Sequence, residues 1–152
     1  MQFRKLGAAG IEIAPLVLGG NVFDWTADKA TSFAILDAFM DAGLNAIDTA
    51  DVYSIFRPGG TGGESETVLG EWIKARGNRD NVVLITKGGL PMGPELKGLS
   101  KDYLPRACEA SLRRLQTDYI DVYFAHDDDP ATPIGESLEV FAPLANRLGI
   151  WQ

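Results

Sequence analysis

Four short apolar runs recur along the chain at nearly even spacing, and a helical pattern follows each one. The runs are Leu16–Leu18, Ala46–Ile47, Val82–Thr86 and Ile120–Ala125. Near-continuous apolar strands suit a sheet covered on both faces, the usual situation of parallel strands. One strand with its helix takes about 30 to 37 residues here. Such alternation implies a parallel sheet with right-handed crossovers, so the expected class is α/β.

The helical patterns are specific enough to name faces. Phe33, Leu36 and Met40 repeat at i, i+3, i+7, with Asp37 and Asp41 off the stripe and Gly43 where a C′ residue belongs. Val68, Leu69, Trp72 and Ile73 form the second stripe, with Glu66, Glu71 and Lys74 as its polar side. Ser100 is the expected N-cap of a third helix with Leu104, Cys108, Leu112 and Leu115 inward. Thr132 is the expected N-cap of a fourth, with Pro133 at N1 and Ile134, Leu138 and Phe141 as the buried face. Ahead of all this, Phe3–Leu6 and Ile11–Ala14 flank the turn Gly7–Gly10, a small β-hairpin. Four β/α units fit either a small open sheet, such as a flavodoxin-like fold, or half of a (β/α)8 barrel, whose full length is about 250 residues. Periodicity does not choose between them.

The polar residues at the strand ends narrow the choice. Asp48 ends the second strand, Tyr53 lies in the loop after it, Lys87 ends the third and His126 the fourth. Sites of parallel β/α proteins form at the carboxyl ends of the strands, so these four converge on one rim. Their types are complementary. A tyrosine hydroxyl in water titrates near 10, and a neighbouring ammonium favours its phenolate. Lys87 is placed to supply that field, Asp48 to hold Lys87, and His126 to donate a hydrogen bond to a substrate oxygen. Such a set suits protonation of an oxygen on which negative charge develops.

The segment Asp48-Thr49-Ala50-Asp51-Val52-Tyr53 resembles the Asp-Thr-Ala-x-x-Tyr motif of the aldo-keto reductases. Gly63–Glu66 with Leu69-Gly70, Ile85-Thr86-Lys87, and Tyr119–Tyr123 followed by His126 resemble further motifs of that family, in its order. Phe3–Gly7 and Leu18–Gly20 match as well. The resemblance covers residues from about 2 to about 140 of a single domain, 1–152, with a divergent tail at 141–152. It implies a partial (β/α)8 TIM barrel of about four units behind an N-terminal hairpin. It also implies reduction of an aldehyde or ketone with NADPH (or NADH), Tyr53 giving the proton, Lys87 and Asp48 tuning it, and His126 orienting the carbonyl. Gly20, Asn21 and Val22, with Asp48, fall where the family lines the nicotinamide ribose. The family's adenine and phosphate contacts come mainly from later loops.

A net charge of −7 with no Lys/Arg cluster speaks against a nucleic-acid partner, because phosphate neutralisation needs clustered cations. No apolar run approaches the ~20 residues that span a bilayer. The start, Met1–Leu6, lacks the apolar stretch of a signal peptide, and Cys108 is the single cysteine, so a cytoplasmic chain without an internal disulfide is expected. Asp127, Asp128 and Asp129 beside His126 suggest a hard-metal hydrolase only weakly, and a solvated loop is favoured over a metal. Gly59–Gly63 lacks the Lys-Ser/Thr ending of a P-loop. Trp25 and Phe56 are equally pocket-lining or hydrophobic plugs. A half-barrel has two open parallel edges, which invite self-association. Two functional readings therefore stay open: a carbonyl reductase acting on a small molecule, and an inactive truncated half-barrel serving as an interaction or assembly module.

Overall fold

The computed structural model describes residues 1–8 and 10–147. The hairpin forms as expected, with β1 (Arg4–Leu6) antiparallel to β2 (Ile11–Ile13). Gly7 and Gly10 take φ of 59° and 79°, the left-handed region that a tight turn demands and glycine enters freely.

The main sheet is parallel, in the order β3 (Val17–Gly19), β4 (Ala46–Asp48), β5 (Val83–Gly88), β6 (Val122–Ala125). The crossovers contain α1 (Lys29–Asp41), α2 (Glu64–Arg76) and α3 (Leu104–Leu115), and α4 (Ile134–Arg147) follows β6. Leu18, Ile47, Leu84 and Tyr123, one from each strand, belong to a single core with Leu36 and Phe39 of α1, Leu69 and Trp72 of α2, Leu104 and Cys108 of α3, and Val140 and Leu144 of α4. The helices thus cover one face of the sheet. Trp72 is fully buried and donates Nε1–H to Asp37 at 2.8 Å, so its one polar atom is satisfied. The other face is open, with Val17 and Phe124 at 39% and 49% exposure. Four strands with helices on one side and an open inner face make half of a barrel.

Two polar knots hold the strands' amino ends. Asn45, one residue before β4, accepts from the Ala14 amide at 2.9 Å and donates to the Glu12 carbonyl at 2.9 Å, tying the hairpin to the sheet. Arg79 donates to Asp121 at 2.7 Å and to the carbonyls of Val82 and Tyr119 at 2.8 and 3.0 Å. Asp121 also accepts from the Leu84 amide at 2.8 Å, joining β5 to the chain entering β6.

Several expectations need correction. Ile120 and Asp121 precede β6, Leu16 precedes β3 and is exposed, and β5 runs on to Gly88. Ser100 does not cap α3, which begins at Leu104 with Pro105 in the first turn, where its missing N–H costs nothing. Thr132 spends its hydroxyl on Asp129 at 2.6 Å. In α4 the buried stripe is Ser137, Val140 and Leu144, whereas Ile134 and Leu138 are 74% and 58% exposed. Ser137 tolerates burial because its hydroxyl donates to the Leu99 carbonyl at 3.3 Å. Glu66, expected on a polar face, is fully buried. The divergent tail coincides with the end of α4 up to Arg147, and residues from 148 lie outside those described. Among the described residues no helix is long and apolar enough to cross a membrane.

Candidate active site

Side chains alternate along a strand. Leu84 joins the helical core and Thr86 donates to Glu66 of α2, so Lys87 projects to the open face. It lies beside Phe124 of β6 in register. Ile47 faces the helices, which turns Asp48 to the same open face, and His126 follows Phe124 by two residues. Three strand ends thus deliver three of the expected residues to one place.

Lys87 Nζ donates to both carboxylate oxygens of Asp48, each at 2.7 Å, and to the Thr49 carbonyl at 2.7 Å. All three ammonium protons are thereby engaged. The Lys87 and Asp48 side chains are 13% and 28% exposed, shielded enough for the pair to interact strongly and open enough to meet a ligand. The same ammonium lies 4.7 Å from the centroid of the Tyr53 ring. His126 stands edge-on to Tyr53, with ring centroids 5.7 Å apart and an interplanar angle of 80°. The four residues are gathered as the motif spacing implied.

Backbone bonds fix these positions. The Asp51 amide donates to the Lys87 carbonyl at 3.0 Å and the His126 amide to the Gly88 carbonyl at 2.9 Å. On the far side of Tyr53, Ser54 takes φ of 71° and donates its hydroxyl to the Phe23 carbonyl at 2.6 Å. Burial holds the His126 imidazole below its usual range and the Lys87 ammonium pushes the same way, against the opposing pull of Asp48 and Asp127. His126 Nδ1 is buried without a hydrogen-bond partner among the described residues.

Gly20 sits against this group, its amide donating to the Asp48 carbonyl at 2.7 Å. Its own carbonyl accepts from Ser65 Oγ at 2.7 Å, and Ser65 Oγ is 2.8 Å from Thr49 Oγ1. A β-carbon on Gly20 would come within 3.1 Å of both the Asp48 carbonyl and Ser65 Oγ, so glycine permits the close approach. Asn21 is exposed, while Val22 packs partly against the core. Trp25 and Phe56 lie at the surface, at 47% and 76% exposure. In the acidic loop, Asp129 accepts from the Leu99 amide at 2.8 Å and the Ala131 amide at 3.1 Å, besides Thr132. These bonds, Thr132 first, hold its carboxyl below the usual range.

Behind the open-face group lies a buried polar layer that sequence reasoning missed. Glu66 accepts from Thr86 at 2.6 Å through one oxygen and from Arg114 Nε at 2.6 Å through the other. Asp51 is fully buried; the Val52 and Gly89 amides face its carboxyl, but neither oxygen completes a well-formed hydrogen bond among the described residues. Burial, aided by the charge of Glu66, raises its carboxyl to about 7. Its place inside the Asp48–Tyr53 segment was visible in the sequence, but nothing there signals its burial.

The Aldo/keto reductase family model matches residues 15–147. The aldo-keto reductase YhdN of Bacillus subtilis is 35% identical over 151 residues, which is 95% of this chain and 43% of that one. Norsolorinic acid reductase stcV of Emericella nidulans is 41% identical over 146 residues, 86% of this chain and 36% of that one. The solved holo form of aldo-keto reductase AKR11C1 from Bacillus halodurans superposes with a TM-score of 0.81 at 33% identity, covering 99% of this chain and 48% of that one. The chain thus spans less than half the length of these three proteins. With the half-barrel fold and the grouped strand-end residues, these matches establish that the chain belongs to the aldo/keto reductase family.

Proposed function

We propose that this half-barrel carries the proton-transfer side of an NAD(P)H-dependent carbonyl reductase acting on a small aldehyde or ketone. The observation that carries the reading is the Lys87 ammonium, locked onto Asp48 at 2.7 Å and lying 4.7 Å from the Tyr53 ring. Tyr53 gives its hydroxyl proton to the carbonyl oxygen as charge develops there, and the ammonium stabilises the phenolate left behind. Asp48 keeps Lys87 in place. With Nδ1 of His126 buried, Nε2 is the nitrogen left to orient the substrate oxygen, and the lowered imidazole acts as a neutral donor.

The residues present fit one end of a nicotinamide cofactor. The Asp48 carboxylate and the exposed Asn21 amide form a mixed donor and acceptor set suited to a ribose diol, and Gly20, its own amide and carbonyl already bonded, packs closely behind them. When bound, the reduced nicotinamide supplies the hydride that reaches the carbonyl carbon. Holding that end would fall to Gly20, Asn21 and Asp48, with Val22 supporting the loop from the core side. The family membership and the reductase names of the relatives support the reaction class.

The test begins with a titration of the chain with NADPH, followed by quenching of its tryptophan fluorescence. Saturable binding is expected, with carbonyl-dependent NADPH oxidation. Tyr53→Phe should lower that turnover by about 10²–10⁴-fold while leaving the quench intact. A Tyr53→Phe chain that turns over normally would remove the proposed proton donor.

A further inference from the structure

Among the described residues, the buried layer behind the open face contains four side-chain oxygens with no well-formed hydrogen bond: both oxygens of Asp51 and the hydroxyls of Tyr103 and Tyr123. Two of them, the Tyr123 hydroxyl and Asp51 Oδ2, flank the spot that a side chain on Gly88 would occupy. A β-carbon there would collide with the Tyr123 hydroxyl and lie 3.3 Å from Asp51 Oδ2. Asp51 therefore reaches behind β5, on the opposite side from Lys87, while its amide is bonded to the Lys87 carbonyl. Two residues further on is Tyr53.

The groups around Asp51 do not neutralise it. From α2 comes Glu66, and from α3 come Arg114 and Cys108. Arg114 Nε is bonded to Glu66 at 2.6 Å, and its charge, with the Val52 and Gly89 amides, favours the Asp51 carboxylate without outweighing burial and the charge of Glu66. Tyr103, just ahead of α3, and Tyr123 of β6 contribute hydroxyls that burial and the nearby Asp51 keep protonated, the first pushed up to about 12. Cys108 is likewise pushed up to about 12 by burial. Lys87, on β5, turns its ammonium to the other face, onto Asp48 and Thr49. A carboxylate at Asp51 must share Arg114 with Glu66, whereas a carboxylic acid can give its proton to a tyrosine oxygen.

We propose that Asp51 is a positioning residue for Tyr53, an uncharged carboxylic acid wedged behind β5 that pins the turn 49–55, and that its ionisation releases this turn. The role as a positioning residue rests on Tyr53 being the proton donor; the behaviour of the turn does not. The sign follows from linkage. The carboxyl is harder to ionise in the closed turn, near 7, than in an opened turn, where it regains an ordinary value near 4. Opening is therefore favoured as pH rises from about 4 to about 7, by about tenfold per pH unit, and levels off above.

The experiment is amide hydrogen exchange of the 152-residue chain between about pH 4.5 and pH 8, corrected for the intrinsic pH dependence of exchange, on wild type and Asp51→Asn. The wild type should lose protection across 49–55 in that window and then plateau, and the permanently neutral variant should not. Parallel profiles in the two proteins overturn the proposal. Should Asp51→Asn fail to fold, the infrared carboxyl band of the wild type decides alone. A protonated acid persisting at about pH 5.5, where ordinary carboxylates are ionised, supports the proposal, and its absence overturns it. Neither readout uses cofactor or turnover, so failure here leaves the reductase reading standing, and an active Tyr53→Phe chain sinks that reading without touching this result.

Discussion

At the scale of single residues, charge placement divides the site into two layers. On the open face Lys87 and Asp48 are paired and partly wet; behind β5, a fully buried Glu66 is paired with an Arg114 that is 24% exposed. Removing one member of a buried pair strands the other, and the cost exceeds that of a surface pair. Arg114→Ala should therefore destabilise the chain by roughly 3–5 kcal/mol, read by denaturant unfolding, because Glu66 has no exposure at all. Asp51 makes the opposite prediction. With its folded value near 7 and an unfolded value near 4, it favours folding at acid pH, and that contribution is lost as pH rises between the two. Asp51→Asn should flatten this fall, leaving the variant more stable than wild type above pH 7 by up to roughly 4 kcal/mol in thermal or denaturant melts. The residues on the open face were legible in the sequence because strand-end position and chemical type coincide. Asp51 and Glu66 were not, since a carboxylate on paper looks solvated until the neighbours that bury it are known.

At the scale of elements, the strands and helices follow their apolar patterns, and the disagreements have local causes. Two stripes compete on α4: Ile134 and Leu138 on one side, Ser137, Val140 and Leu144 on the other, with Phe141 at the boundary they share. The sequence favours the first by hydrophobicity. The fold selects the second because Ser137 finds a carbonyl on the loop before α3 and Phe141 packs on Tyr123 at 6.0 Å. Periodicity finds a face but not its rotation when a small polar residue can be satisfied inside. The packing of α2 on α3 depends on Gly70, where a β-carbon would collide with the backbone of Arg114 and Leu115. Gly70→Ala must push the two helices apart, for about 1–3 kcal/mol of lost stability in thermal melts. The gain in helix propensity from alanine, about 1 kcal/mol, works against this loss and keeps it at the lower end.

At the scale of the whole molecule, the sheet ends among the described residues in two unpaired parallel edges, β3 and β6, and its inner face carries exposed Val17 and Phe124. Unpaired edges beside apolar surface promote pairing with another chain. The 152-residue chain is expected to associate in a concentration-dependent way in sedimentation velocity or light scattering. Phe124→Lys, which puts a charge on that face, should shift it toward monomer. A wild-type chain that stays monomeric at high concentration would show that the edges are blunted by other means.

The Asn45 amide, which clips the hairpin to the amino ends of the strands, also sets a polarity for handling the molecule. The hairpin turn at Gly7–Gly10 and the Tyr53 rim lie at opposite ends of the sheet. A dye, a surface tether or a fused carrier attached at that turn would sit a full strand length from any ligand arriving at the rim. The protein thus has a natural handle end and a working end, and immobilised binding measurements can be made through the first without obstructing the second.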